Sequence, residues 1–269
     1  MPRYDRLSIL VSLVLFGLMV SHVVELPTRT VSFVALGVPT TIYLSGRWFV
    51  GALLVAMTGA GADSIVRSHP LARDAGWAYG LTLWALPCAL VLFAFIALPS
   101  SPSLSFWLGG LAMTGLLLSL TVIAQYRTVD PEGPGDDMAG WGLSLAVYAS
   151  VFVFCTLIYE ARARSLLSAT AVFLLGSGLA AELLRPRTPA SAVKRTWLYS
   201  VIVGLVLGEV AWALNHLSLG EVGSGVFFLL VFYVMSGLAR QHLRGRLAPT
   251  VIVEFIVVSI LGLGLVYIL

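Results

Sequence analysis

The chain predicts an all-α polytopic bundle of transmembrane helices. Three observations predict it. Of 269 residues, 59% are hydrophobic and 11% charged, and mean hydropathy is +0.96, a balance foreign to water-soluble domains. The apolar residues gather into nine runs, each close to the length that crosses about 30 Å of hydrocarbon at about 1.5 Å per residue. Trp48, Trp77, Trp107, Trp141 and Trp197 stand at the first turns of their runs, the depth an amphipathic indole prefers.

The first run is 7–25, preceded by Arg3 and Arg6. A charged start and an apolar body are also the outline of a secretory leader. The exit Ser21-His22-Val23-Val24-Glu25-Leu26-Pro27 offers no small-x-small cleavage pattern, so the run is read as a retained span. The segment 31–45 is shorter, contains Gly37 and Pro39, and is rich in Thr and β-branched residues. As a helix it would reach only about 22 Å. It is read as a re-entrant or interfacial segment, with a tenth short span as the alternative.

Eight further runs follow at 48–66, 76–98, 104–125, 141–160, 165–183, 196–217, 222–239 and 249–269. Pro87 lies in the middle of the second of these. It removes a backbone donor, frees a carbonyl near Leu83 or Trp84, and predicts a helix kink. The loop 126–140 (YRTVDPEGPGDDMAG) is the longest polar stretch. It separates two halves, 7–125 and 141–269, of a single integral membrane domain. Its acids lack calcium-loop spacing, so it is read as a solvated linker.

Charge placement orients the bundle. With nine spans, twelve of the sixteen basic residues fall on the side of the N-terminus, and only Arg29, Arg47, Arg162 and Arg164 on the other. That bias predicts a multi-pass protein of the cell membrane with a cytoplasmic N-terminus and an extracytoplasmic C-terminus. Ten spans would place eleven basic residues inside and would allow a 5+5 inverted repeat. In that reading 7–25 matches 143–160, and 58–69 matches 205–216.

Composition and motifs exclude several functions. A net charge of +3 spread over short loops is not a nucleic-acid signature. Cys88 and Cys155 both lie inside apolar runs and read as small buried hydrophobes. The four histidines are scattered, and no catalytic constellation, metal site or cofactor is expected.

The acids divide by whether their own helix supplies a partner. Glu25 has Arg29 at i+4, Asp63 has Arg67, Glu160 has Arg164, and Glu182 has Arg185 at i+3. These spacings bring side chains together on one helix face, and all four read as structural ion pairs near a boundary. Glu254 starts the last run close to Arg240, which ends the preceding one. Glu209 differs. It lies about 18 Å beyond Trp197 by helical rise, and its i±3 and i±4 neighbours are Leu205, Val206, Trp212 and Ala213. A mid-span carboxylate is costly, so Glu209 is expected to be neutral and to face the bundle interior. Asn215 and His216 lie toward the outside, with His216 at i+7 on the same face. Glu209, Asn215, His216 and Glu254 are the candidate proton- or substrate-binding residues. Two functions follow: a small proton-coupled transporter with a buried carboxylate, or a non-catalytic subunit or assembly factor among partner membrane subunits.

Overall fold

The computed structural model describes residues 4–23, 28–35, 38–73, 76–100, 103–130, 136–161, 165–186, 193–216, 220–245 and 249–268. Among the described residues nine α-helices follow one another: α1 (Tyr4–Val23), α2 (Gly46–Val66), α3 (Trp77–Ala97), α4 (Leu104–Arg127), α5 (Asp136–Glu160), α6 (Ser165–Leu183), α7 (Val193–Leu214), α8 (Glu221–Leu243) and α9 (Pro249–Ile268). Among the described residues, α1 to α8 supply eight helices long and apolar enough to cross a membrane. The ninth, α9, is 20 residues long. The protein is a polytopic helical membrane bundle.

The segment 31–45 is compatible with the re-entrant or interfacial reading, in strand rather than helix form. It belongs to an antiparallel hairpin of β1 (Thr28–Ala35) and β2 (Val38–Ser45). The register runs from Thr28 opposite Ser45 to Ala35 opposite Val38. Among the described residues no tenth helical span forms, which removes the helix that a 5+5 repeat requires. The reason is local: Thr, Val, Ile and aromatic residues favour a pleated backbone, and only two residues separate the paired strands. A hairpin also returns the chain to where it began. The pairing of Thr28 with Ser45 therefore starts α2 at the end of the bundle where α1 stops.

Two four-helix units repeat one packing scheme. In the first, α1 packs on α2 and α4, and α3 on α2 and α4; in the second, α5 packs on α6 and α8, and α7 on α6 and α8. Each unit has its own apolar core. Leu10, Val14, Leu54, Ile65, Val91 and Leu118 fill the first, and Val147, Val151, Val172, Leu207, Phe228 and Phe232 the second. Leu86 and Ala89 of α3 join the second core, and α3 with α6 and α4 with α5 knit the units together. On the outer surface large apolar side chains such as Ile9, Phe16, Leu53, Leu145 and Leu174 stand exposed, as lipid contact requires. Several hydroxyls inside the spans bond back to their own helix. Thr58, Ser150 and Ser200 each donate to the carbonyl four residues earlier at 2.7–2.8 Å, so none needs water.

The tightest seam joins α6 to α7. Gly204 and Gly208, four apart on α7, face Phe173 and Ser177 of α6, and Gly176 faces Leu207. A Cβ on Gly204 would meet the Ser177 hydroxyl, and would stand 2.6 Å from the Phe173 carbonyl oxygen and 2.8 Å from the Ser177 nitrogen. Small residues at this spacing let two backbones close up where no hydrophobic force drives them together. At the end of α8, Gly245 adopts φ +65°, the left-handed position that closes a helix with least strain.

Candidate functional site

Most of the described basic residues at helix ends lie at one end of the bundle, hereafter the basic end, where α2, α4, α6 and α8 stop and α3 and α7 begin. A buried polar cluster forms there. Glu182 is 5% exposed and Gln125 fully buried. Arg185, one turn after Glu182, holds Nη2 3.6 Å from its Oε1 and donates to the Thr128 hydroxyl at 2.7 Å. Tyr79 of α3, also buried, lies within electrostatic reach of both charges. Arg240 donates to the Leu183 carbonyl at 3.0 Å, and the Trp197 indole to the Ala78 carbonyl at 2.9 Å. Four helices and the exit of α4 are thus tied together at one depth.

Gln125 explains how α3 tolerates its proline. Pro87 has no N–H to offer the carbonyl of Leu83, four residues back. The Gln125 Nε2 of α4 donates to that carbonyl at 3.1 Å, and α3 runs unbroken from Trp77 to Ala97. The same amide lies beside the Glu182 carboxylate. Three atoms of the cluster are buried with no hydrogen-bond partner among the described residues: Glu182 Oε2, Gln125 Oε1 and Arg185 Nη1. Two acceptors and one donor are left, a set with the capacity of a small hydrogen-bonding guest or a bound proton.

The residues singled out from sequence do not converge. Asp63 and Arg67 form an ion pair at 2.8 Å packed against Gly80 of α3, and Arg67 also reaches the Gly76 carbonyl at 3.3 Å. Glu160 ends α5 on an exposed face, and Glu254 is exposed near the start of α9. Glu25 and Arg164 lie outside the described residues, and Arg29 is described only as backbone within β1. Asn215 is half-buried, its Nδ2 without a hydrogen-bond partner among the described residues, beside a crevice lined by Cys155, Tyr159, Ser168 and Phe228 that is too narrow for water. His216 is exposed.

Glu209 corrects the sequence reading most. It is exposed on the outward face of α7 and does not point into the bundle. The cause is its own helix. Ser200, Gly204, Leu207, Gly208 and Ala211 are among the buried residues of α7, and the small ones must take the seam with α6. That rotation leaves Leu198, Ile202, Leu205, Glu209, Trp212 and His216 as one exposed stripe. Sequence reasoning passed over Gln125, Tyr79 and Thr128. A lone Gln near the end of an apolar run, opposite a mid-span Pro, was the available signal for the first.

No curated protein and no solved structure matches the chain. The model of a family described as "Protein of unknown function (DUF5656)" matches residues 26–269, starting just after α1 and running through α9, and the chain belongs to that family.

Proposed function

We propose that the chain is a non-catalytic subunit of a membrane assembly, a helical scaffold that docks a neighbouring membrane helix along α7 with its basic end in the cytoplasm. One observation carries this reading: a carboxyl group inside a span, on Glu209 in the last third of α7 (Val193–Leu214), stands on the outward face. A charged residue at a span's centre costs about 2.5–3.5 kcal/mol on insertion scales, and one nearer the end, as here, costs less. A hydrogen bond from a neighbouring helix recovers part of that cost, about 0.6–2 kcal/mol. A group that costs this much toward lipid is best explained by a partner that covers it.

A second reading, the proton-coupled carrier, moves to another residue. Its buried carboxylate is Glu182, favoured by the unpartnered Oε2 beside Gln125. The two readings separate in one comparison. The chain is purified from its own membranes in mild detergent, as wild type, Glu209→Leu and Glu182→Gln, and weighed by native mass spectrometry. The subunit reading expects wild type and Glu182→Gln in a complex heavier than the 28.8 kDa chain, and Glu209→Leu outside it. A monomeric wild type whose proteoliposomes acidify in a Glu182-dependent way would replace it with the carrier.

A further inference from the structure

We propose that the buried cluster at the basic end binds a single water molecule that joins the two four-helix units. This site is independent of the docking reading, since none of its residues lies on the exposed stripe of α7. Gln125 belongs to α4 in the first unit. Glu182 belongs to α6 in the second, and Arg185 stands just beyond the end of that helix. Each side chain carries one buried atom with no hydrogen-bond partner among the described residues: Gln125 Oε1, Glu182 Oε2 and Arg185 Nη1. In each planar group the sister atom is already engaged. Gln125 Nε2 donates to the Leu83 carbonyl, Arg185 Nη2 donates to the Thr128 hydroxyl, and Glu182 Oε1 faces Arg185 at 3.6 Å. The Gln125 amide lies beside the same carboxylate. The three unserved atoms therefore sit in adjoining groups whose orientations are already set by other bonds.

Hydrogen-bond complementarity selects the guest. Two acceptors and one donor call for a molecule with two hydrogens and a lone pair. Water has both, and a buried water commonly makes about three hydrogen bonds to polar groups that otherwise lack partners. An ammonium-like cation has hydrogens for the acceptors but no lone pair for Arg185 Nη1. A halide serves Nη1 and is repelled by the two oxygens. A proton on Glu182 could serve the Gln125 oxygen, but it leaves Nη1 unserved and discards the charge that Arg185 faces. Size points the same way. Val66, Ala72, Tyr79, Leu83 and Val129 form an apolar group at this end, none more than 1% exposed, and Leu179 and Ala180 are as deeply buried on the turn of α6 before Glu182. The water adds a second link between the units beside the direct bond from Arg185 to Thr128. It acts through Gln125, the side chain that also serves the carbonyl opposite Pro87.

Hydroxyl-radical labelling by pulsed X-rays tests the site in the full chain. The radicals form from water, so a buried ring is modified only beside an ordered water molecule. Tyr79 lies within electrostatic reach of Glu182 and Arg185. Phe228 and Phe232 are equally buried, in the apolar core of the second unit. After correction for intrinsic reactivity, Tyr79 is expected to be modified and both phenylalanines to stay silent. Gln125→Leu removes one acceptor and is expected to abolish the Tyr79 product. Silent phenylalanines in that variant show that its core is intact; if they react, Gln125→Met, which keeps the length of the side chain, takes its place. An unmodified Tyr79 in the wild type overturns the proposal whatever the variants do. Undiminished Tyr79 modification in a variant with silent phenylalanines also overturns it, because the water then lies elsewhere. A carboxylic-acid infrared band at neutral pH that Glu182→Gln removes overturns it in favour of a proton on Glu182.

Discussion

Replacing Gly204 by Ala tests the α6–α7 seam with a single methyl group. The added carbon would stand 2.6 Å from the Phe173 carbonyl oxygen, whereas ordinary contact begins at 3.4 Å, so the helices must part by the difference, about 0.8 Å. Two of the three obstacles are backbone atoms and cannot rotate away. Separation on this scale forfeits a quarter to a half of the dispersion energy across the gap, and Leu179, Val203 and Leu207 sit beside it, fully packed. Overpacking costs about 1–3 kcal/mol; with rigid obstacles the upper part of that range applies, about 2–3 kcal/mol. The expected fall in melting midpoint is about 4–10 °C. Gly109→Ala in α4 is the control. A Cβ there meets nothing within 4 Å, and Ala exceeds Gly in helix propensity by up to about 1 kcal/mol, so its midpoint should hold or rise. Tryptophan fluorescence during thermal unfolding in one detergent measures both. Equal melting of the two variants would refute the argument that backbone contact, not glycine itself, sets the cost.

Three other expectations follow from the basic end and the hairpin. Glu182→Ala strands Arg185 in a buried site and should cost about 3–5 kcal/mol, with Glu182→Gln well below that; denaturant titration showing Ala no worse than Gln would contradict the buried pair. Gln125→Leu removes the donor to the Leu83 carbonyl and should cost about 1–3 kcal/mol. The loss should shrink in a Pro87→Ala background, where the restored N–H serves the same carbonyl, and a double-mutant cycle without coupling would count against this link. Topology reporters fused after Glu25 and at Gly46 should read the same side, and opposite sides would mean that the hairpin region crosses the bilayer.

The helices were legible because lipid imposes one simple pattern on each. The run 165–183 coincides with α6, and other boundaries moved by a few residues, as where Asp136 and Asp137 became the acidic first turn of α5. The hairpin was hidden by its length, since 31–45 is too short for a span and long enough for several alternatives. Its β-branched density was the cue. Glu209 was misjudged because a rule about acids was applied before the helix's own small residues were read. Gly204 and Gly208, four apart, already marked the inward face. The Glu182–Arg185 pair was visible from its spacing, but Gln125 and Tyr79 come from other helices, and no periodicity within one helix reveals a neighbour.

The shared packing scheme of α1–α4 and α5–α8 bears on how such a chain could arise and be inserted. A unit with an even number of crossings ends on the side where it began, so α5 enters the membrane in the same sense as α1. Doubling a four-crossing unit therefore needs no reversal of loop charge. A five-crossing unit must be turned over, and its flanking arginines re-sorted, before a second copy fits. Even parity lets one set of sidedness signals serve both units.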